Sequence, residues 1–485
     1  MNCHKILASV FAFAVCLAGS DAGADVYVDS SFEGVADGTV EKPYGTIREG
    51  CAKAGFGDRV LVRGRQEYRF RSGDDAAIVV EPSVRVLGCD GDWNPVVDCL
   101  ASNDMPIVVV DKDYRGREWK SPFEIRECGC AVSGLRVQFD RGVFAGGGHR
   151  EGLIAIRGNV SDTKVENCMF EMSFTAGSLY EGGTNGVVAG VYVHGTSGEN
   201  SAQVKNTVIR RCAFYMGESS DTICAFFNLH AGTRFEENYV VRLGTLFAGT
   251  NQGVQNMDLN VISNVFLNCC NQVGGRKFWL FNSNGEYSPY SGEIAYNRFV
   301  RDDYDTIGYY LLQHGRQNFG NWLGETLIHH NTIVGYDLVI ESPGYKGAEA
   351  PGKTWSPQIF DNLIVDTQSI LSETANAKWE DGCTSSFRVG STFKGNAVQC
   401  NGDFNVGSAK SQSWYSLANL DGWGSKKVIT APKFMNTTDP TSKNYYRLRV
   451  KDDSWVIDNA ISDASWPHYI GAVVPVQRGF AVRVR

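Results

Sequence analysis

An all-β chain wound as a parallel β-helix, closed at its N-terminal end by one short helix, is the fold the sequence predicts, and three observations predict it. The first is a repeat: an apolar residue, two variable residues, usually Asn, one variable residue and a second apolar one. Ile328-His329-His330-Asn331-Thr332-Ile333 is one copy; others surround Asn238, Asn264, Asn297, Asn362 and Asn396, and earlier copies place Leu135, Cys168 and Cys212 at the same point. The second is drift: from Leu135 to Asn396 the copies are separated by 33, 44, 26, 26, 33, 34, 31 and 34 residues. Stacked helical repeats hold a fixed length, whereas short strands joined by loops absorb extra residues in the loops. The third is local character: the flanks are rich in Val, Ile, Phe and Tyr and lack an apolar period of 3.6, so they read as strands. An interior Asn at each turn then satisfies its amide against the Asn of the next rung and caps bent backbone.

Composition agrees. The chain has 485 residues, and the repeat covers most of it, which favours one elongated domain over several compact ones. Glycine is abundant at 54 residues and proline scarce at 13, as tight turns between strands require. Net charge is −8 with Lys and Arg scattered, so no basic stripe marks a nucleic-acid binder.

In chain order, residues 1–24 read as a secretory leader: Lys5, the apolar run Ile6 to Ala18, then Ala22-Gly23-Ala24 before Asp25. The mature chain is therefore expected outside the cytoplasm, at the cell surface, in a periplasm or free. It has no further apolar run near the roughly 18 residues of a bilayer span. Without Cys3 and Cys16, 12 of the 14 cysteines remain, an even number in a disulfide-permissive compartment. Cys89 with Cys99 and Cys383 with Cys400 would close local loops, and Cys168 and Cys212 fall on adjacent rungs, as a bridge or as stacked thiols. Residues 25–70 form the cap and first coil: a strand at Asp25-Val26-Tyr27-Val28, a capping box in Thr46-Ile47-Arg48-Glu49, and a strand at Arg59-Val60-Leu61-Val62. The helix covers apolar interior and strand edges that would otherwise template aggregation. Residues 71–404 are the coils, and 405–485 a closing coil and tail.

The ladder, the N-terminal cap and a tail containing Pro432-Lys433-Phe434, Arg447-Leu448, Ser454-Trp455-Val456-Ile457-Asp458 and Ile470-Gly471-Ala472 together resemble the right-handed parallel β-helix superfamily that includes the pectate-lyase-like polysaccharide lyases. Trp455 and Tyr469 depart from the Pro and Asp usual in such tails. The resemblance implies a right-handed coil and a flat, extended groove suited to a polymer. The Trp-x-Asp-His and Arg-x-Pro-x-x-Arg segments of the best-known pectate lyases are missing, as are the Gly-His-Gly and Arg-x-Lys signatures of polygalacturonases.

Candidate site residues come from aligning the first strand of each coil by its turn. This places Arg157, His194, His230, Asn251, Asn282, His314 and Glu341 on neighbouring rungs, with Arg242, Arg276, Lys277 and Arg316 beside them. Eliminative cleavage of a uronic-acid polymer needs a cation near the sugar carboxylate and a base for the adjacent C–H. His230, His314, Lys277 and Arg316 are the expected catalytic groups. His194, Arg276 and Glu341, with Trp279, Tyr310 and Trp322 for sugar stacking, are the expected binding groups. Asp302, Asp303 and Asp305 form an acid cluster whose hard oxygens suit calcium, the one cofactor expected, although a solvated loop is the blander reading. The expected partner is a polysaccharide, met by a monomer. Lyase-like cleavage comes first; a non-catalytic surface or carbohydrate-binding protein is second. A glycoside hydrolase, which needs two carboxylates flanking the bond, is third.

Overall fold

The computed structural model describes residues 23–70, 77–110, 121–139, 150–172, 187–195, 203–215, 222–228, 230–243, 247–248, 257–269, 288–301, 310–313, 322–323, 326–336, 338–343, 358–367, 369–374, 392–400, 414–417, 426–429, 438 and 471–472. Among them the chain is almost entirely strand, with the helix Ile47–Lys53. Two 13-stranded sheets and a six-stranded sheet dominate, and each joins strands from successive coils rather than successive strands. Pairing along them is parallel until the last two strands of one sheet, Trp414–Leu417 and Lys426–Ile429, which add antiparallel beside Asn396–Cys400. The protein is a right-handed parallel β-helix.

Register explains the interior. In the first long sheet Val26, Val60, Val86, Val132, Val165, Ile209, Phe235, Val261, Ile294, Ile328 and Ile359 are Cα partners in turn, and all are buried. In the other long sheet the matching file runs through Phe170, Phe214, Val240, Phe266, Phe299, Ile333 and Ile364. Phe266 and Phe299 stack at 4.7 Å between centroids and 7°, close to the strand spacing itself. Identical side chains one coil apart therefore meet face to face.

Between these two sheets the chain turns in two residues. The first takes a left-handed conformation at Asn167, Arg211, Glu237, Ser263, Tyr296, His330 and Asp361, with φ between 52° and 59°. That backbone disfavours side chains by about 1 kcal/mol or more per residue. The second residue answers it from inside. Asn238, Asn264, Asn297, Asn331, Asn362 and Asn396 form one buried file. Each Oδ1 from Asn264 onward accepts the backbone N–H and the Nδ2–H of the preceding Asn, at 2.9 to 3.1 Å. Cys168 and Cys212 hold the same place in earlier coils. Cys212 Sγ donates to Val165 O and Arg210 O, and Asn331 Nδ2 makes the equivalent pair of bonds to Ile294 O and His329 O. The thiol is a longer, weaker copy of the amide, and Asn238 Oδ1 joins the two series by accepting Cys212 N at 2.9 Å.

The disulfides suggested by an even cysteine count are not formed among the described residues. Cys51, Cys89, Cys99, Cys128, Cys130, Cys168, Cys212 and Cys224 are free thiols, of which Cys128 is exposed. Cys168 and Cys212 are stacked thiols because both donate to main-chain carbonyls. Cys383 lies outside the described residues.

At the N-terminal end the capping box forms: Glu49 N donates to Thr46 Oγ1 at 3.1 Å and Thr46 N to Glu49 Oε2 at 3.2 Å. Ile47 and Cys51 close the open core. Gly50 lets the helix down onto the first coils, since a Cβ there would lie 2.5 Å from Val28 Cγ2. The outer edge of Asp25–Val28 is occupied as well: Tyr27 N donates to Gly38 O, and Tyr44 N to Tyr27 O, both at 2.9 Å. From the tail, Gly471 N reaches back to Asp361 O and Ala472 N to Thr332 Oγ1, both at 2.9 Å. Of the leader expected at residues 1–24, residues 1–22 lie outside the described residues, and among the described ones no helix is long and apolar enough to cross a membrane.

Candidate functional site

The six-stranded sheet is where polar side chains gather on the outside of the coil. Its strands Phe123–Ile125, Arg150–Arg157, Val187–His194 and Thr222–Asn228 pair in register. Alternation turns Phe123, Ile125, Ile154, Ile156, Val191 and Val193 into the core, so Glu124, Ala155, Arg157, Tyr192 and His194 point outward. Glu124, Ala155 and Tyr192 are lateral neighbours, as are Arg157 and His194. Tyr192 packs tightly across its strand neighbour: a Cβ at Gly152 would lie 2.5 Å from Tyr192 Cβ.

These groups organise one another. Glu124, with a side chain 2% exposed, pairs with Arg126, and its Oε1 lies 3.7 Å from Arg157 Nη1. The Arg157 guanidinium carbon sits 5.3 Å from the centre of the Tyr192 ring. On that ring the half-buried His194 imidazole stacks at 5.5 Å and 6°. A cation, an aromatic face and an imidazole thus stand together across adjacent coils. Tyr192 is itself buried, 1% exposed, and orders the two partly exposed groups, a cation that can meet an anionic oxygen and an imidazole that can exchange a proton.

Not every expected site residue joins it. His194 does. His230 does not: the partner of His194 on the next coil is Asn228, two residues earlier. A two-residue slip preserves the in/out alternation of a strand, so patterning could not detect it. His230 instead pairs with Val204, is 1% exposed, and has Nδ1 2.9 Å from Thr233 Oγ1. Burial pushes its pKa down to about 4, so it is a neutral wall residue rather than a groove base. Glu341 pairs with Gln313 on the neighbouring strand. For Glu341, Tyr310 and Trp322 the backbone is described, on Leu338–Pro343, Tyr310–Gln313 and Trp322–Leu323. His314, Arg316, Arg276, Lys277, Trp279, Asp302, Asp303 and Asp305 lie outside the described residues.

Sequence reasoning missed Glu124, Arg126 and Tyr192. The signals were present: Glu124 interrupts the apolar pair Phe123 and Ile125, and Tyr192 sits two residues before His194, hence on the same face. The tandem histidines of the repeat form a separate buried group. His329 Nε2 lies 2.9 Å from Glu293 Oε1, the two Nδ1 atoms are 2.8 Å apart, and His330 Nε2 is 4.0 Å from Asp361 Oδ2. Phe360 stacks on His329 at 4.7 Å.

Fold and site together define a parallel β-helix with a polar patch on one sheet. Among solved structures the chain is similar to a rhamnogalacturonan lyase, at 12% identity and a TM-score of 0.54, over 89% of this chain and 98% of that one. It is similar also to pectate lyase Pel9A, at 11% identity and a TM-score of 0.52, over 94% and 98%. At these identities the likeness is one of fold, a distant structural similarity to polysaccharide lyases. No protein-family model matches the sequence, and no curated protein matches it.

Proposed function

We propose that this is a secreted carbohydrate-active protein that cleaves a uronic-acid polysaccharide by elimination on the outer face of the six-stranded sheet. The observation that carries the reading is the contact set Arg157, Tyr192 and His194, in register on neighbouring coils. Arg157 would face the sugar carboxylate and acidify the adjacent C–H. His194, the outward histidine of the set, would take that proton. The C–H electron pair would form the new C=C bond as the C–O bond breaks, and the leaving glycosidic oxygen would take its proton from solvent water. Glu124 holds Arg157 in place from below. The distant likeness to lyases supports polymer cleavage on this scaffold without deciding the substrate.

The test is incubation of the purified protein with a panel of polyuronates, with and without calcium, following absorbance of unsaturated ends. His194→Ala is expected to lower the rate by about a hundredfold or more. No unsaturated product on any polymer, or an undiminished rate in His194→Ala, refutes the proposal; reducing ends without unsaturation would make the protein a hydrolase. Export predicts that the mature N-terminus is Asp25, read by N-terminal sequencing, and size-exclusion chromatography tests the expected monomer.

A further inference from the structure

A second cluster lies on a different wall, over the first coils. The loop Asp90-Gly91-Asp92-Trp93-Asn94 is closed by its own first residue. Asp90 N donates to Asn94 O at 2.8 Å, and Asp90 Oδ1 accepts Asp92 N at 2.8 Å and Asn94 N at 2.9 Å. Nothing in that closure uses the side chain of Trp93. Yet Trp93 has φ +69°, a conformation that glycine or asparagine adopts readily and a bulky residue does not. Its indole is set edge to face with Tyr27, centroids 5.0 Å apart at 89°, with Arg63 Cζ 5.6 Å from the ring. Arg63 is fixed in turn: Nε donates to Gly91 O at 3.2 Å and Nη1 to Asp29 Oδ2 at 2.7 Å, and Asp29 also accepts Ser31 N and Oγ. Trp93 and Tyr27 are both only half-buried, and Asp92, next to Trp93 in the chain, is exposed.

We propose that Tyr27, Arg63, Asp92 and Trp93 form a sugar-binding platform that takes a neutral pyranose unit, separate from the cleavage site. Aromatic rings attract the C–H face of a pyranose, while a carboxylate and a pre-oriented guanidinium bind its hydroxyls. The charge selects against a polyanion: Arg63 is paired with Asp29 and Arg65 with Asp104, which leaves Asp90 and Asp92 as an acidic excess near Arg65. The platform would hold the rod on a mixed polysaccharide while the six-stranded sheet meets the acidic chain. It does not depend on that reaction.

Affinity electrophoresis of the full chain through gels containing xylan, mixed-linkage glucan, galactomannan or polygalacturonate tests this. Retardation by at least one neutral polymer is expected. Trp93→Asn, which suits the backbone conformation and should leave the melting temperature unchanged or raised, is expected to weaken that retardation at least tenfold, and Arg63→Gln to weaken it too. His194→Ala should leave it intact, so loss of uronate turnover and loss of neutral-glycan binding are read separately. No retardation by any neutral polymer, retardation by polygalacturonate alone, or full retention in folded Trp93→Asn overturns the proposal.

Discussion

Replacing Asn297 by Ala isolates what the interior amide file contributes. Asn297 Oδ1 accepts Asn264 N at 3.0 Å and Asn264 Nδ2 at 2.9 Å; its Nδ2 donates to Val261 O at 2.7 Å and to Asn331 Oδ1 at 3.0 Å. Ala removes all four bonds. Asn264 Nδ2 keeps Phe235 O, and Asn331 Oδ1 keeps Asn297 N, but Asn264 N loses its acceptor in a dry interior. One orphaned donor at about 1–3 kcal/mol and three lost bonds at about 1 kcal/mol each give a destabilisation of about 4–6 kcal/mol. For a chain of 485 residues the unfolding entropy is about 1 kcal/mol per kelvin, so the melting temperature should fall by about 4–6 °C. Circular dichroism melts provide the assay. Asn297→Cys should fall between wild type and Ala, because the thiol can donate as Cys212 does but leaves Asn264 N without a short acceptor. A drop below about 1 °C in Asn297→Ala, or identical melts for Ala and Cys, would show that side-chain amides do not stabilise the file.

Further outcomes follow from burial. His230 titrates near 4 when folded and near 6.5 when unfolded, so between those pH values the unfolded chain binds the proton and stability falls as pH falls, by at most about 3 kcal/mol. His230→Gln should flatten that part of the pH–stability curve, and an unchanged slope would contradict the assignment. Burial also pushes the Cys51, Cys89 and Cys99 thiols up to about 12, so native protein treated with iodoacetamide at pH 8 should be labelled at exposed Cys128 and spared at these three. Peptide mass spectrometry checks this, and labelling of Cys51 at the rate of Cys128 would refute it.

The coil was legible because its signal is periodic and interior. An Asn that recurs between two apolar residues must face inward, so its neighbours' faces follow, and the Asn238 to Asn396 file is hydrogen-bonded as that pattern requires. Thr46 and Glu49 were equally readable because a capping box is a local rule. The outer site was less so. The ladder fixes register only near each turn, and on the strand that follows a long loop a shift of two residues leaves the apolar alternation intact. That is how His230 was aligned with His194 when Asn228 is the partner. The patch is held by contacts between coils, such as Glu124 with Arg157 and Arg157 with Tyr192, which no spacing within one coil encodes.

The amide file also bears on how such a protein can change length over evolutionary time. Every link joins one rung to its immediate successor by the same pair of bonds, so Asn264 sees Asn297 as Asn297 sees Asn331. Excising residues 265–297 would bring Asn264 against Asn331 with both contacts restored, in a rod shorter by about 4.8 Å. Duplication would do the reverse. A gene encoding this protein can therefore gain or lose whole turns as interchangeable cassettes, while the outer loops diverge without disturbing the splice.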